Sequence, residues 1–440
     1  MQNSPFLLSM KKTEQLYKLF LQYPNISTDT RKELNNSIFF ALSGENFNGN
    51  KFALEALNKG AVIAVVDDRS YLVAGDNRYF FVEDCLIALQ DLALFHRRHF
   101  SIPVIAITGT NGKTTTKEAI ARVLASEKKI VATEGNFNNH IGVPINLLHI
   151  NRETEVAVIE MGANHPGEIG SLCKIVEPTH GLITNIGKAH LEGFGSMQGV
   201  IETKKELYNF VKKNGGTLFV NKEDQLLMSL SKGIHRFTYG KTDADFNVQL
   251  LSAQPSLQLQ WQENNKKYTV ESQLYGSYNF YNLAAAIAIG RFFGILVGHV
   301  VHALSGWETR NNRSQQLETG HNHIILDAYN ANPDSMLLAI TDFAEHAFAK
   351  PVLILGDMFE LGEAAAKEHE FILTLLDKYK FQDVMLVGKE FVKTTVGGSR
   401  KTFVSTDEAA KYLQKYPIRN SQILIKGSRG MQLEQLVQYL

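Results

Sequence analysis

The chain has 440 residues, which is too long for a single hydrophobic core, so two or three domains are expected. Hydrophobic residues make up 44% and charged residues 20%, a composition typical of globular proteins, and 45 basic against 45 acidic residues leave no net charge. The balance argues against a general attraction to nucleic acid or to a membrane, and no apolar run approaches the roughly 20 residues that span a bilayer.

Cysteine usage indicates the redox compartment. The chain contains only Cys85 and Cys173, too few for a disulfide scaffold. Residues 1–12 also lack the basic leader and apolar core of a signal peptide. A reducing environment fits both observations, so we expect a cytoplasmic protein.

The first block, residues 1–98, has the pattern of a small α/β domain. Two short apolar runs, 37–42 and 61–68, predict strands. Residues 84–100 carry apolar residues at helical spacing and end in basic residues, as helix C-termini do. Residues 101–103 (Ser-Ile-Pro) break this pattern and predict a linker.

The second block, residues 99–309, opens with the apolar strand VIAITGT and continues with a helical segment at 114–129. Near-continuous apolar runs separated by helices are typical of a parallel sheet covered on both faces. Two later segments alternate polar and apolar residues and predict antiparallel strands at one edge, and an Ala-rich segment predicts a helix. The further strand-like runs are 156–162, 181–187 and 217–221, the alternating segments are 256–262 and 266–276, and the Ala-rich helix is 279–293.

The third block, residues 310–440, repeats the alternation of buried strands and helices. Its apolar runs are 324–330, 351–358, 383–388 and 422–428. This spacing predicts a small doubly wound, Rossmann-like domain. The fold class expected for the whole chain is therefore α/β, with three domains at 1–98, 99–309 and 310–440.

A phosphate-binding loop is the strongest local motif. It directly follows the strand at 104–110 and opens the next helix, and its residues are Gly109, Thr110, Asn111, Gly112, Lys113, Thr114 and Thr115. Glycines allow backbone N–H groups to turn around phosphate oxygens, and the helix N-terminus adds partial positive charge. We expect Lys113 to reach the β- and γ-phosphates of ATP and Thr114 or Thr115 to bind Mg²⁺. The alternative is a glycine-rich turn with a lysine there by chance.

Glu160 is the best candidate for a second group at this site. It ends the apolar run VAVIE, and a carboxylate at the C-terminal end of a strand beside a phosphate loop suits a magnesium ligand. The alternative is an ordinary loop acid.

Several motifs together resemble the Mur ligases of peptidoglycan synthesis. They are TGTNGKTTTKE, EGNFNNHIGVP (134–144), VIEMGANHPGEI (158–169), TNIGKAHLEGFGS (184–196) and KKELY (204–208), and the resemblance extends from about residue 25 to about 430. It implies a UDP-sugar-binding domain, an ATPase domain with a mostly parallel sheet, and a C-terminal Rossmann-like domain.

The C-terminal motifs resemble the branch of this family that adds D-alanyl-D-alanine. They are LDAYNANPDSM (326–336), LGDMFELGE (355–363) and IKGSRGMQLE (425–434). The Asp-Asn-Pro-Arg tetrapeptide usual in the diamino-acid-adding relative is absent, and Tyr329 begins the loop in which folylpolyglutamate synthases carry a His before Asn-Pro. The implied substrates are UDP-N-acetylmuramoyl-tripeptide and D-alanyl-D-alanine, handled by a monomer with no nucleic-acid or membrane partner.

The resemblance implies a reaction through an acyl phosphate. The tripeptide carboxylate attacks the γ-phosphate of ATP, and the dipeptide amine then displaces phosphate. Lys113 would stabilise the transferred phosphoryl group, Thr114 and Glu160 would hold one Mg²⁺ ion, and His190 would help to bind a second. Lone histidines are usually structural, so the role of His190 depends on its GKAHLEGFG context.

In the family that the chain resembles, the lysine three residues before a Leu/Ile-aromatic pair is carbamylated. Lys204 stands three residues before Leu207-Tyr208, so the resemblance implies that it is a carbamylated ligand of Mg²⁺. Reaction with CO₂ converts a cation into an anion that can bind metal. The alternative is a solvated lysine on a helix that starts at Met197. The adjacent Lys205 does not match the family position, so we expect it to be such a solvated lysine.

The remaining candidates each have a structural alternative. Asn279 and Asn282 would bind adenine, although helix capping is an alternative for Asn279. Arg313 and Asp327 match family positions that contact the phosphates and the ribose, although either could instead be a surface salt-bridge residue. The implied dipeptide side is Asn330, Asn332 and Ser335, which are also good turn and cap residues, and the uridine or diphosphate side is Ser27, Thr30, Arg31 and Ser43.

Three other functions remain open at this stage. One is another amino-acid ligase of the same fold, such as a folylpolyglutamate synthase, although the N-terminal block argues against it. Another is a phosphate-loop ATPase or kinase. The last is a binding protein without activity, which intact Lys113, Glu160, His190 and Lys204 argue against.

Overall fold

The computed structural model describes residues 5–254, 256–309, 311–346, 350–395 and 400–440. The chain divides into two compact units. The first comprises residues 1–106, 129–162 and 168–179, and the second comprises residues 107–128, 163–167 and 180–440. The predicted boundaries at 98/99 and 309/310 stay predictions.

The elements up to residue 100 include both predicted strands and the predicted helix. The strands are β1 (Asn25–Ser27), β2 (Ser37–Phe40), β3 (Ser43–Gly44), β4 (Phe47–Asn48), β5 (Ile63–Val66) and β6 (Tyr79–Phe81). The helices are α1 (Pro5–Gln22), α2 (Ala53–Asn58) and α3 (Cys85–Arg97), with 3-10 turns at Gly49–Phe52 and Arg69–Tyr71.

The elements between residues 101 and 305 follow the predicted order. The strands are β7 (Val104–Thr108), β8 (Ile130–Ala132), β9 (Val156–Glu160), β10 (His180–Ile183), β11 (Thr217–Asn221), β12 (Arg236–Gly240), β13 (Phe246–Ser252), β14 (Leu257–Glu263) and β15 (Lys266–Ser272). The helices are α4 (Lys113–Ala125), α5 (Gly142–Leu148), α6 (Glu168–Val176), α7 (Leu191–Phe194), α8 (Met197–Lys213), α9 (Gln225–Leu230), α10 (Phe280–Phe292) and α11 (Val297–Leu304), with a 3-10 turn at Ser277–Asn279.

The last part of the chain contains all four predicted strands. The strands are β16 (Gln315–Glu318), β17 (His323–Asp327), β18 (Pro351–Gly356), β19 (Asp383–Val387), β20 (Lys401–Phe403) and β21 (Gln422–Lys426). The helices are α12 (Pro333–His346), α13 (Ala365–Lys378), α14 (Lys389–Thr394) and α15 (Thr406–Lys415), with 3-10 turns at Gly362–Ala364, Arg429–Met431 and Leu433–Tyr439.

The first unit contains a four-stranded parallel sheet in the order β1-β2-β5-β6. Every residue of β2 is buried, which is why its sequence is a continuous rather than an alternating run. Helix α3 begins where predicted because the carboxylate of Asp84 accepts a hydrogen bond from Ile87 N at 2.9 Å. Strands β8 and β9 also lie in this unit and pair in parallel.

The second unit contains two sheets. In one, β10, β11, β12 and β13 are parallel, and β14 and β15 continue it as antiparallel strands, as their alternation predicted. In the other, the order is β16-β17-β21-β18-β19-β20, and only β16 is antiparallel. Two hydrophobic clusters built from alternate residues of these strands give the second sheet a core on each face. The doubly wound α/β prediction is confirmed for this sheet.

Within the described residues, no helix combines the length and the apolar character that crossing a membrane requires. Cys85 and Cys173 are both buried and reduced.

Candidate active site

The phosphate loop has the predicted setting, because β7 ends at Thr108 and α4 begins at Lys113. Gly109 and Gly112 have φ angles of 147° and 78°, which only glycine adopts at low cost. A Cβ atom on Gly109 would stand 1.9 Å from Thr184 Oγ1, and one on Gly112 would stand 2.6 Å from an atom of Asn282. Both glycines are therefore required by conformation and by close packing.

The segment that follows β10 holds this loop in place. Thr110 N donates to Asn185 O at 2.9 Å, and Asn111 N donates to Asn185 Oδ1 at 2.9 Å. Asn185 Nδ2 donates back to Asn111 O at 2.9 Å, and Thr184 Oγ1 donates to the same carbonyl at 2.6 Å. A loop fixed by these bonds does not need to reorganise when an anion binds.

Lys113 lies over the loop. Its ammonium donates to Gly109 O at 2.8 Å and to Thr110 O at 3.0 Å. Thr114 and Thr115 follow in the first turn of α4, and both are buried. A lysine, two hydroxyl groups and a helix N-terminus at one place suit a polyphosphate.

Lys204 lies on the buried face of α8 and is 3% exposed. Its Nζ stands 5.8 Å from the centroid of the Phe194 ring, and no residue that the structure describes gives it a hydrogen bond or an ion pair. Burial, and secondarily repulsion by Lys113, lowers the pKa of Lys204 to about 7. By contrast, Lys205 points outward and pairs with Glu202 at 3.6 Å. The solvated-face alternative therefore holds for Lys205 and fails for Lys204.

His190 starts the short helix α7 with a left-handed backbone, at φ 51°. Its Nδ1 contacts the carboxylate of Glu360, and this contact lowers the pKa of Glu360. Glu192 N also donates to Glu360 O at 3.4 Å. Glu360 was not among the predicted site residues, although it lies in the LGDMFELGE motif (355–363) that contributes to the family resemblance.

Glu160, in the first unit, is the last residue of β9 and is 1% exposed. Its Oε1 accepts a hydrogen bond from Asn138 Nδ2 at 2.7 Å, and its backbone N donates to Thr133 Oγ1 at 2.9 Å. The carboxylate is thus held at a strand end and is not a mobile loop acid.

Asn279 and Asn282 belong to a buried network. Thr116 Oγ1, on α4, donates to Asn282 Oδ1 at 3.0 Å, and Asn282 Nδ2 donates to Asn279 Oδ1 at 2.8 Å. Asn279 Nδ2 donates to Tyr275 O at 2.7 Å and to Ser314 Oγ at 3.1 Å. Asn279 occupies the cap position of α10, but its side chain makes no capping hydrogen bond. Adenine binding by this pair stays a prediction.

Among the described residues neither Arg313 nor Asp327 takes part in a surface salt bridge, although Asp327 forms a largely buried ion pair with Lys426. The Asp327 carboxylate accepts from Lys426 Nζ at 2.6 Å and from Ser314 N at 3.1 Å, and Lys426 is 2% exposed. The guanidinium of Arg313 stacks on the ring of Tyr329, with Cζ 3.4 Å from its centroid.

Asn332 and Ser335 cap helix α12. Ser335 N donates to Asn332 Oδ1 at 2.9 Å, and Asn332 N donates to Ser335 Oγ at 3.0 Å. Asn332 Nδ2 is left to donate to Asn111 Oδ1, in the phosphate loop, at 2.7 Å. Asn330 is exposed, and its Oδ1 accepts from Ala331 N at 2.9 Å. The capping alternative is real for Asn332 and Ser335, and their dipeptide role stays a prediction.

The sequence analysis missed Lys188 and its partners. Lys188 N donates to Asp334 Oδ2 at 2.7 Å, and Lys188 Nζ donates to Glu368 Oε1 at 2.8 Å. A Cβ atom on Gly187 would stand 2.1 Å from Asp334 Oδ2. Lys188 is the lysine of the GKAH motif, so the sequence contained a signal for it, but only His190 of that motif was predicted to be functional.

The uridine-side candidates lie in the first unit. Ser27 Oγ donates to Asp29 O at 3.1 Å, and Thr30 is 9% exposed. Arg31 is exposed and forms a forked ion pair with Asp29, with 2.8 Å between NH2 and Oδ2. Ser43 Oγ donates to Asn48 Oδ1 at 3.3 Å. These contacts show turn chemistry, and uridine binding stays a prediction.

The predicted magnesium ligands are Thr114, Glu160, His190 and Lys204. Across the described ranges, no cluster of three or more His, Cys, Asp or Glu side chains is suited to a metal. Mg²⁺ prefers oxygen ligands, which Thr114 and Glu160 supply. Lys204 supplies none as an amine, but carbamylation would add two oxygens at a buried position. The donor types therefore suit Mg²⁺ on that condition, and the magnesium roles of these residues stay predictions.

Family models and known proteins match this chain over most of its length. The Mur ligase middle domain matches residues 107–290, and the Mur ligase glutamate ligase domain matches residues 312–429. The UDP-N-acetylmuramoyl-tripeptide–D-alanyl-D-alanine ligase of Bacillus subtilis is 36% identical over 94% of this chain and 92% of its own.

Solved structures give the same result. MurF from Acinetobacter baumannii superimposes with a TM-score of 0.85 at 29% identity, covering 97% of both chains. MurF from Thermotoga maritima, solved in complex with ADP, has a TM-score of 0.83 at 26% identity, covering 95% of this chain and 97% of its own. From the matched domains, the relatives and the shared fold, this chain belongs to the Mur ligase family.

Proposed function

We propose that this protein is an ATP-dependent amide ligase that joins D-alanyl-D-alanine to UDP-N-acetylmuramoyl-tripeptide during peptidoglycan precursor synthesis. The observation that carries the proposal is the match to the Bacillus subtilis enzyme of that specificity over more than nine-tenths of both chains. The fixed phosphate loop and the buried Lys204, which has no ion-pair partner among the described residues, support an ATP-dependent reaction within that specificity.

The chemistry proceeds in two transfers. A carboxylate oxygen of the tripeptide attacks the γ-phosphorus of ATP, the bond to the β-phosphate oxygen breaks, and ADP leaves. The dipeptide amine then attacks the acyl carbon of the resulting acyl phosphate, loses a proton and expels phosphate. The first transfer brings two anions together, so Lys113 contributes by neutralising charge on the moving phosphoryl group.

We propose Thr114, Glu160, His190 and carbamylated Lys204 as the groups that hold two Mg²⁺ ions. Bound Mg²⁺ would neutralise phosphate charge and orient the phosphoryl group. The buried position of Lys204 supports this role, because a neutral amine reacts with CO₂ and an ammonium does not.

The remaining roles follow the family pattern. The nucleotide side comprises Asn279, Asn282, Arg313 and Asp327, the dipeptide side comprises Asn330, Asn332 and Ser335, and the uridine side comprises Ser27, Thr30, Arg31 and Ser43. Domains at 1–98, 99–309 and 310–440 would bring the three substrates together, and closure would protect the acyl phosphate from water. We further propose a cytoplasmic monomer, because ATP and the nucleotide-linked precursor are its substrates.

An ADP-release assay tests the proposal. The purified chain is given ATP, Mg²⁺ and a UDP-N-acetylmuramoyl-tripeptide ending in lysine or in meso-diaminopimelate. D-alanyl-D-alanine, D-alanine and L-amino acids are compared as acceptors for the tripeptide, and a folate is tested in place of the tripeptide with glutamate as the acceptor. We expect multiple-turnover ADP release that requires both tripeptide and dipeptide. A single amino acid that outperforms the dipeptide would overturn the acceptor, and multiple-turnover ADP release without tripeptide and dipeptide would indicate a simple ATPase.

A further inference from the structure

The guanidinium of Arg313 stacks on an aromatic ring. Its Cζ lies 3.4 Å from the centroid of the Tyr329 ring. Among the residues that the structure describes, none forms a hydrogen bond or an ion pair with this guanidinium. Its five N–H donors are thus presented as a planar fork, the geometry that binds phosphate or carboxylate through two parallel hydrogen bonds.

The backbone that carries Arg313 is strained. Asn312 and Ser314, on either side of it, have left-handed φ angles of 56° and 47°. Non-glycine residues keep such angles only where their surroundings impose them, and these positions are concentrated at functional sites. Here Tyr329 N donates to Asn312 O at 3.0 Å, so the strained turn and Tyr329 are tied together.

A chain of hydrogen bonds connects this turn to the phosphate-loop helix. Ser314 Oγ accepts from Asn279 Nδ2 at 3.1 Å and lies 2.9 Å from the hydroxyl of Tyr278. Asn279 leads through Asn282 to Thr116, which lies in the first turn of α4. Three hydrogen bonds therefore connect Ser314, the neighbour of Arg313, to the first turn of the helix that follows the phosphate loop.

We propose that Tyr329 is a positioning residue whose ring holds the guanidinium of Arg313 ready for a phosphate of ATP. This inference rests on the proposed ATP-dependent function. The stack fixes the plane of the guanidinium, so less side-chain entropy is lost when the phosphate binds. The phenolic hydroxyl has no part in the stack, and the ring alone does the positioning.

Direct nucleotide binding, measured by calorimetry with ADP, and steady-state kinetics together test the inference. Tyr329→Leu removes the ring, and Tyr329→Phe keeps it. The value of a cation–π contact predicts an increase of about 2- to 30-fold in the ADP Kd and the ATP KM for the Leu variant. The Phe variant should recover most of that loss. Tyr416→Leu is the matched control, because it removes the exposed ring that contacts Lys415 in the same part of the chain.

The double variant separates positioning from a merely structural effect. In an Arg313→Ala background, Tyr329→Leu should cause no further change in nucleotide affinity, because residues that act as a unit are not additive. Arg313→Lys, which leaves the Tyr329 loop intact, should weaken ADP binding in the same direction.

Three outcomes would overturn the inference: additive losses in the double variant, a Phe variant as weak as the Leu variant, or an increase confined to the dipeptide KM. If the unaltered protein binds ADP but ligates no dipeptide, the proposed function fails, while the binding data still decide the role of Tyr329.

Discussion

Carbamylation of Lys204 can be tested by supplying and removing CO₂. Only the neutral amine attacks CO₂, forming an N–C bond and releasing a proton. Burial lowers the pKa of Lys204 to about 7, so roughly half of it is neutral at pH 7. A lysine with the usual pKa is neutral in only about 1 molecule in 3,000 at that pH. We therefore expect the neutral, reactive form at pH 7 to be about a thousandfold more populated for Lys204 than for the surface lysines.

The assay is ¹³C NMR of the protein in ¹³C-labelled bicarbonate, combined with activity at limiting Mg²⁺. The unaltered protein should show one carbamate signal, and Lys204→Ala should lose both that signal and most of the activity. Lys205→Ala is the matched control, because Lys205 is adjacent but partly exposed and paired with Glu202. The signal should weaken as the pH falls through about 7, because protonation removes the reactive amine.

Two results would refute this reasoning. One is a carbamate signal that survives in Lys204→Ala or disappears in Lys205→Ala. The other is a Lys204→Ala protein with full activity at limiting Mg²⁺ and without added bicarbonate. Either result would leave the buried amine as a structural feature and would remove Lys204 from the proposed magnesium ligands.

Further substitutions probe stability and closure. Without CO₂, burial makes the ammonium form of Lys204 unfavourable in the folded state. Lys204→Met should therefore stabilise the protein at pH 7 by at most about 5 kcal/mol. Thermal melts should show that this gain shrinks as the pH rises towards 10. Gly109→Ala should abolish ADP binding in calorimetry, because its Cβ has no room. Lys188→Glu or Glu368→Lys alone should slow dipeptide-dependent ADP release, and the double exchange should restore part of it; no recovery would argue against the ion pair. Asn332→Asp should keep the melting temperature because it still caps α12, whereas Asn332→Ala should cost about 1 kcal/mol; dipeptide KM should rise in both.

Much of the fold was predictable because its signals are local. The phosphate loop combines a buried strand, two glycines and a helix start within a dozen residues, and all of these are observed. The alternation in β14 and β15 likewise predicted antiparallel strands. Helix α1 and strands β12 and β13 were not predicted, because their short or irregular apolar patterns become strands and helices only when neighbours cover them.

Lys204 shows where sequence reasoning could have gone further. The buried residues of α8 recur at helical spacing, at Val200, Thr203, Leu207, Tyr208 and Val211, and Lys204 lies on the same face. That spacing alone could have predicted burial. It could not have predicted that the amine has no hydrogen-bond or ion-pair partner among the described residues, because such partners come from other segments of the chain.

The sequence by itself determined the order of the elements, the phosphate loop and the family, since each depends on residues that are close in the chain. The tertiary structure alone decided the stack of Arg313 on Tyr329, the contact of His190 with Glu360, and the two bonds of Lys188. These contacts join segments separated by 16 to 180 positions. Neither periodicity nor propensity extends across such distances, and only the packing of the chain brings such side chains together.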